Sequence, residues 1–196
     1  MAGITGQGSL FPVERPGPHG FSYEAGFLSE AEEEGLLETI AHIAVRPLVF
    51  QGFEAKRKVK SFGYDYHFDS RTITQGRPIS QAFAPLLEKV SAHLQLPVED
   101  LKELLVTEYP PGSVINWHRD APPFDVVIGV SLLSDCQFRF RPYAKSEQRR
   151  SNIIAVPVMR RSLYVIRGEA RSEREHSIAP VQEKRYSLTL RTLKAI

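Results

Sequence analysis

The 196-residue chain is long enough to bury a substantial core, and its single cysteine, Cys136, excludes an intramolecular disulfide and suits a reducing compartment. No apolar run approaches the roughly 18 residues a membrane helix needs, and the start lacks the basic and apolar stretches of a secretory signal, so a soluble, cytoplasmic, monomeric protein is expected. A net charge of +2 is too small to announce nucleic acid by itself.

Residues 1–20 are rich in glycine and proline (Gly3, Gly6, Gly8, Pro12, Pro16, Pro18) with little to pack, which predicts a flexible arm ahead of a single domain over residues 21–196. Ser29 is placed to cap a helix reaching about Ile43. Acids fill its first turns, as the helix dipole favours, and Leu36, Leu37, Ile40 and Ile43 form its core stripe. A second helix is expected from about Ile79 to Leu94, with Phe83, Leu86, Leu87 and Val90 at helical spacing and Pro85 near its first turns. Between them, Lys56–Asp69 interleaves bases with aromatics, as proteins do to grip a backbone and stack on a base. Tyr64, Tyr66 and Phe68 also alternate as one face of a hairpin strand would.

From Leu104 onward the texture is that of strands: Leu104–Tyr109, Val126–Leu133, Gln137–Arg141, Ile153–Val158, Ser162–Arg167 and Arg185–Leu193, with turns at Pro110-Pro111-Gly112 and Arg167-Gly168-Glu169. Short strands at this spacing suggest an all-β sandwich or barrel, with the two helices buttressing its outside. In Gln137-Phe138-Arg139-Phe140-Arg141 the alternation sends both phenylalanines inward and both arginines outward.

Charge is segregated along the chain. The stretch holding Glu24, Glu30, Glu32, Glu33, Glu34 and Glu38 is acidic, whereas Arg139 to Arg174 is strongly basic. That basic segment either tracks phosphates or is a solvated barrel exterior.

His118-Arg119-Asp120 follows the Pro/Gly turn. One intervening residue on an extended segment sends His118 and Asp120 to the same side, so both can reach one ion. With His176, arriving from a distant strand, two imidazoles and a carboxylate could occupy one face of an octahedral iron(II) ion and leave three positions open. A second H-x-D, His67 and Asp69, has no turn beside it and no downstream partner; His19, His42 and His93 read as structural or exposed.

Leu105 to Asp120, containing Thr107, Tyr109, the Pro/Gly turn and the H-x-D, together with Arg185-Tyr186-Ser187-Leu188-Thr189-Leu190-Arg191, resembles the AlkB family of Fe(II)- and 2-oxoglutarate-dependent dioxygenases, of the bacterial alkylated nucleic acid repair kind. The likeness runs from about Phe21 to Leu193. Ser187 and Thr107 depart from it, since the family usually has asparagine at both positions.

The resemblance implies a mainly β fold with flanking helices, a double-stranded β-helix or jelly roll with a helical buttress and an N-terminal substrate lid. It implies a catalytic metal site of His118, Asp120 and His176 for Fe(II). Arg185, Tyr109, Ser187, Thr107 and Arg191 would bind 2-oxoglutarate, with Arg185 on its distal carboxylate and Arg191, deeper in the barrel, supporting Asp120. Tyr64 and Tyr66 of the lid, with Trp117 and Arg119, are the substrate candidates; Trp117 could equally seal the barrel rim.

The implied reaction removes a methyl group from a base such as 1-methyladenine or 3-methylcytosine in single-stranded or damaged DNA or RNA. It consumes O2 and 2-oxoglutarate and releases succinate, CO2 and formaldehyde. Three alternatives stay open: the same oxygenase chemistry on tRNA, protein or a small molecule; a nucleic-acid binding module without turnover; and a zinc hydrolase, which would not require Arg185.

Overall fold

The computed structural model describes residues 17–50, 52–67 and 70–194. Among them the order of elements is β1 (Phe21–Glu24), α1 (Glu30–Ala41), β2 (Arg46–Phe50), β3 (Phe53–His67), β4 (Thr72–Gln75), α2 (Ala84–Leu94), β5 (Glu103–Tyr109), β6 (Ile115–His118), β7 (Phe124–Leu132), β8 (Cys136–Pro142), β9 (Ile154–Val158), β10 (Leu163–Ile166), α3 (Gly168–Ser172), β11 (Arg174–Ile178) and β12 (Arg185–Leu193).

All pairings are antiparallel and build two sheets. The larger runs β1-β10-β7-β12-β5-β3-β2 with β4 on β3, and the smaller runs β6-β11-β8-β9. The expected jelly roll with helices outside is the observed architecture.

Side-chain alternation divides the large sheet into two cores. Its outer face sends Leu104, Val106, Ile128, Val130, Leu188 and Leu190 against Leu36 and Ile40 of α1 and Phe83, Leu86 and Val90 around α2. Its inner face, with Tyr109, Val127, Tyr164 and Ile166, meets Phe138 and Phe140 of the small sheet. Arg139, between those phenylalanines, and Arg141, after them, point out, as the alternation predicts.

Ser29 caps α1 with a reciprocal pair: its hydroxyl accepts from Glu32 N at 3.2 Å, and the Glu32 carboxylate accepts from Ser29 N at 2.7 Å. Glu33, one residue on and 1% exposed, accepts from Leu133 N (2.7 Å) and from Arg160 Nη2 (2.6 Å). Glu30 pairs with Arg161 at 2.6 Å. The acidic helix therefore meets the basic segment directly, and part of the charge segregation read from the sequence is a staple between helix and barrel.

Several expectations need correction. Strands begin well before Leu104, because β2, β3 and β4 lie upstream. The segment expected to form a lid is largely β3 itself, paired to β5 over Lys58–Gly63 and to β4 over Tyr64–His67. It reads as polar because its inner face lines a polar cavity, which removes the apolar alternation that marks most strands.

The transfer between partners occurs at Gly63, where φ is +85° and a Cβ would lie 2.0 Å from the Lys102 carbonyl oxygen, so only glycine fits. Phe68 and Asp69, and with them the second H-x-D, lie outside the described residues, as do residues 1–16 of the expected arm. Residues 17–20 are tied down: the carbonyls of His19 and Gly20 accept from Ala170 N and Arg167 N. The turn expected at Arg167–Glu169 opens into the short helix α3. The second helix starts at Ala84, after a 3-10 turn over Gln81–Phe83.

Candidate active site

His118 ends β6 and His176 lies in the middle of β11, directly opposite it in the ladder. Their rings approach to 4.3 Å between centroids. Asp120 follows two residues after His118, just past the end of β6, and its carboxylate reaches the same point as the H-x-D spacing anticipated, on a loop held by Arg171 and Arg191. The donor atoms of the three residues lie within 4.8 Å of one another, and no other such group occurs among the described residues. Asp120 Oδ2 and His176 Nε2 are 3.3 Å apart, close to the roughly 3 Å between adjacent ligands of an octahedral ion with bonds of about 2.1 Å.

Each ligand is prepared by its surroundings. His118 Nδ1 lies 2.8 Å from the Asn116 carbonyl; a carbonyl only accepts, so Nδ1 carries the proton and Nε2 presents its lone pair. His176 is 7% exposed, and burial pushes its pKa down to about 3 against the pull of Asp120, which keeps the imidazole neutral and able to bind a metal.

Burial opposes ionisation of Asp120 too. The charge of Arg191, with that of Arg171, outweighs it and holds the carboxyl well below its usual range. Arg191 Nε and Nη2 both donate to Asp120 Oδ1 (3.0 and 2.8 Å), whereas the buried Oδ2 has no partner. Oδ2 is the atom left for a metal.

Two residues that the sequence did not single out complete this arrangement. Glu103 accepts from Arg191 Nη1 at 2.6 Å, so the guanidinium is clamped between two carboxylates. Burial pushes the Glu103 carboxyl up, against the pull of Arg191. Arg171 sends Nη2 to the carbonyls of Asp120, Ala121 and Phe124 (3.1, 2.8 and 3.1 Å), fixing the loop that carries Asp120. Backbone carbonyls leave no mark in a sequence, and Glu103 meets Arg191 only through the register of β5 and β12.

Arg185 opens β12 with 0% exposure. Its Nε donates to Ser131 Oγ at 3.1 Å, its guanidinium lies 4.9 Å from the Tyr109 ring centroid, and Nη1 and Nη2 have no partner. Two buried, unpaired donors on a cation are costly unless an anion meets them. Together with the unpaired oxygen of Asp120, they fit an iron(II) ion and a dicarboxylate co-substrate. Tyr109 and Ser187 share a 3.3 Å hydroxyl contact, and Thr107 lies opposite Ser187 in the ladder. Arg185 has no exposed surface, whereas the Arg191 side chain keeps 13% of its surface in solvent and lines the cavity at the metal ligands.

A cavity of about 320 Å³ reaches the candidate metal site. It is lined by His118, Asp120, His176, Arg191, Thr107, Tyr109 and Glu103, and also by Arg57, Asp65, Tyr66 and Arg119, whereas Arg185 and Ser187 do not line it. Tyr64 is not among its lining residues. Trp117 is turned away: it lies on the outer face of the small sheet, with the guanidinium groups of Arg139 and Arg141 at 5.1 and 4.6 Å from its ring. Adjacent residues of a strand face opposite ways, so His118 facing in sends Trp117 out. A larger groove of about 990 Å³ runs between α1 and β3, past Glu38, His42, Lys60 and Arg77. It holds no cluster of metal donors, and the chemistry belongs to the smaller cavity.

Comparisons with known proteins agree with this geometry. The sequence profile of the 2OG-Fe(II) oxygenase superfamily matches residues 25–192. The chain is 28% identical over 170 residues to mouse tRNA (carboxymethyluridine(34)-5-O)-methyltransferase ALKBH8, covering 83% of this chain and 24% of that protein. It is 30% identical over 118 residues to bovine RNA demethylase ALKBH5, covering 54% of this chain and 28% of that protein. The chain thus spans about a quarter of the length of these curated relatives. The solved structure of OsALKBH1 shares the fold, with a TM-score of 0.70 at 14% identity over 88% of this chain and 96% of that one. With the profile spanning nearly the whole chain and His118, Asp120 and His176 forming a possible iron site, this chain belongs to the 2OG-Fe(II) oxygenase superfamily, as an AlkB-like member.

Proposed function

We propose that the chain is an oxidative demethylase of N-methylated bases in DNA or RNA. The observation that carries this reading is the fully buried Arg185, whose two unpaired Nη groups would take the distal carboxylate of 2-oxoglutarate, in a chain whose His118, Asp120 and His176 could hold iron. A zinc hydrolase or a binding module without turnover gives no reason to bury that cation. The names of the relatives, an RNA demethylase and a tRNA-modifying protein, support a nucleic acid substrate. Among such substrates, 1-methyladenine and 3-methylcytosine in single strands, the products of alkylation damage, are the lesions we assign. A buried, unpaired Cys136 is in keeping with work in a reducing cytoplasm.

When bound, iron(II) and 2-oxoglutarate supply the oxidation: O2 and 2-oxoglutarate give succinate and CO2, and the N-methyl carbon leaves as formaldehyde. The protein's share is position and dryness. Arg185 and the hydroxyls of Tyr109 and Ser187 grip the co-substrate. Ser187 and Thr107 offer shorter hydroxyls where the family usually has amides. Arg191, itself held by Glu103, keeps Asp120 Oδ1 occupied so that Oδ2 faces the metal. Tyr66 and Arg119 line the cavity that an extruded base enters, and a base that cannot pair costs less to extrude.

A second reading keeps the chemistry and changes the target to tRNA, favoured by the match to a tRNA-modifying protein across 83% of the chain. Both readings are tested by incubating anaerobically iron-loaded protein with 2-oxoglutarate, air and a panel of methylated single-stranded DNA, RNA and tRNA fragments, then weighing the products, with His118→Ala as control. Loss of methyl mass in the wild type alone supports the demethylase and names its substrate. Succinate formation with every methyl group retained refutes it.

A further inference from the structure

A stacked pair lies outside the iron and co-substrate machinery, joined to the cavity through Arg119, which lines it and on which Tyr143 is stacked. Arg119, between His118 and Asp120 in sequence, donates through Nη1 to the Ser172 carbonyl at 2.8 Å, and its guanidinium lies 3.6 Å from the centroid of the Tyr143 ring. Tyr143 is 48% exposed, one of the few large apolar side chains left facing water. Its backbone is nevertheless held firmly. Tyr143 N donates to the Glu173 carbonyl at 2.8 Å, and Gln148 Nε2 donates to the Tyr143 carbonyl at 3.2 Å. The ring is thus fixed at its root and covered on one side by a cation, with about half its surface open before any ligand arrives. Preorganisation of this kind lowers the cost of binding.

We infer that Tyr143, backed by Arg119, is a stacking platform for the base next to the one that enters the cavity, on a single-stranded nucleic acid. The inference rests on the nucleic acid reading given above and extends it from a base to a strand. A base drawn out of a strand leaves its neighbour unstacked on one side, and an aromatic face joined to the cavity through Arg119 replaces the lost stack. Every base has a π-face, so such a platform is indifferent to sequence. Immediately beyond Tyr143 the chain carries Lys145 and Arg149, both exposed, where the phosphates of a strand crossing the platform would pass. A free modified nucleoside would leave the platform unused.

The test is fluorescence anisotropy of labelled single-stranded RNA and DNA pentamers with a central methylated base, in which one flanking base or the other is replaced by an abasic spacer. Removing the base that meets Tyr143 should weaken binding by about 5- to 150-fold, from the stacking worth of roughly 1–3 kcal/mol per base; removing the opposite flank should change little. Tyr143→Ala should bind the intact pentamer as weakly as the wild type binds the spacer pentamer and should no longer distinguish the two. Tyr143→Phe, which keeps the ring, should retain the distinction. Equal wild-type affinity for intact and spacer pentamers overturns the platform while leaving the nucleic acid reading standing. No binding of any pentamer overturns both. The spacer series needs no variant, so a folding defect cannot account for its result.

Discussion

Replacing Arg185 by methionine should leave the ligand-free protein as stable as the wild type, or more so, while removing its response to 2-oxoglutarate. The guanidinium is 0% exposed, donates once, to Ser131 Oγ, and leaves Nη1 and Nη2 unpaired. Losing the Ser131 bond costs about 1 kcal/mol, and each unpaired buried donor removed restores roughly 1–3 kcal/mol. In a domain of this size the Arg185→Met protein should therefore melt at, or a few degrees above, the wild-type temperature. Two charge-assisted hydrogen bonds to the distal carboxylate are together worth about 3–6 kcal/mol, so affinity should fall on the order of 10² to 10⁴-fold. Thermal melts without ligand, and calorimetric titration of the Mn(II)-loaded protein with 2-oxoglutarate, read the two halves separately. A variant that melts well below the wild type yet binds 2-oxoglutarate normally would refute the reasoning, for Arg185 would then be a structural cation.

Arg191→Met should behave in the opposite way: it strands Glu103 and Asp120 as buried unpaired carboxylates, costing about 3–5 kcal/mol in a ligand-free melt. Metal affinity, read by competition with a chelator, should fall about 10 to 100-fold because Asp120 loses its orienting partner. Gly129→Ala should destabilise by about 1–3 kcal/mol, because its Cβ would lie 2.0 Å from Tyr164 Cζ; chemical denaturation should show rescue by Tyr164→Leu but not by Tyr164→Phe. Glu32 is held down to about 2 from 4.5, chiefly by Lys89 and then by the Ser29 amide. A carboxyl depressed on folding contributes stability that is present above pH 4.5 and lost as pH falls toward 2. Glu32→Gln should flatten that acid limb in pH-dependent melts, and added salt should shrink the difference, since the pair is about 40% exposed.

The legible parts of this protein were those whose cause is local. Ser29 with Glu32 declares a helix start, the Phe138 and Phe140 alternation declares a strand with one buried face, and the spacing of His118 and Asp120 brings two donors to one point on any extended backbone. Resemblance added His176 and Arg185, which no local pattern identifies. The hairpin strand that the alternation of Tyr64 and Tyr66 offered beside the lid reading is observed as β3 and β4, but the full length of β3 was hidden because a strand that walls a polar cavity carries Arg57, Ser61 and Asp65 where an ordinary strand carries apolar residues.

The basic stretch from Arg139 to Arg174 shows the division sharply. Its charge was plain from the sequence, but its use was not. The tertiary structure spends Arg160 and Arg161 on α1, Arg141 on Glu175, and Arg171 on three carbonyls of the loop carrying Asp120. Trp117 and Tyr143 show the same division, the residue between Asn116 and His118 facing out and a distant tyrosine stacking on Arg119, which lines the cavity. Composition and periodicity act through neighbours along the chain, so by itself the sequence determined α1 and α2, half of the twelve described strands and the H-x-D pair, while β6 and β11, which carry His118 and His176, went unread as elements. Strand register and chain crossings decide which distant side chains share a point in space, and so the clamp on Arg191, the unpaired faces of Asp120 and Arg185, and the Tyr143 platform existed only once the sheets had closed.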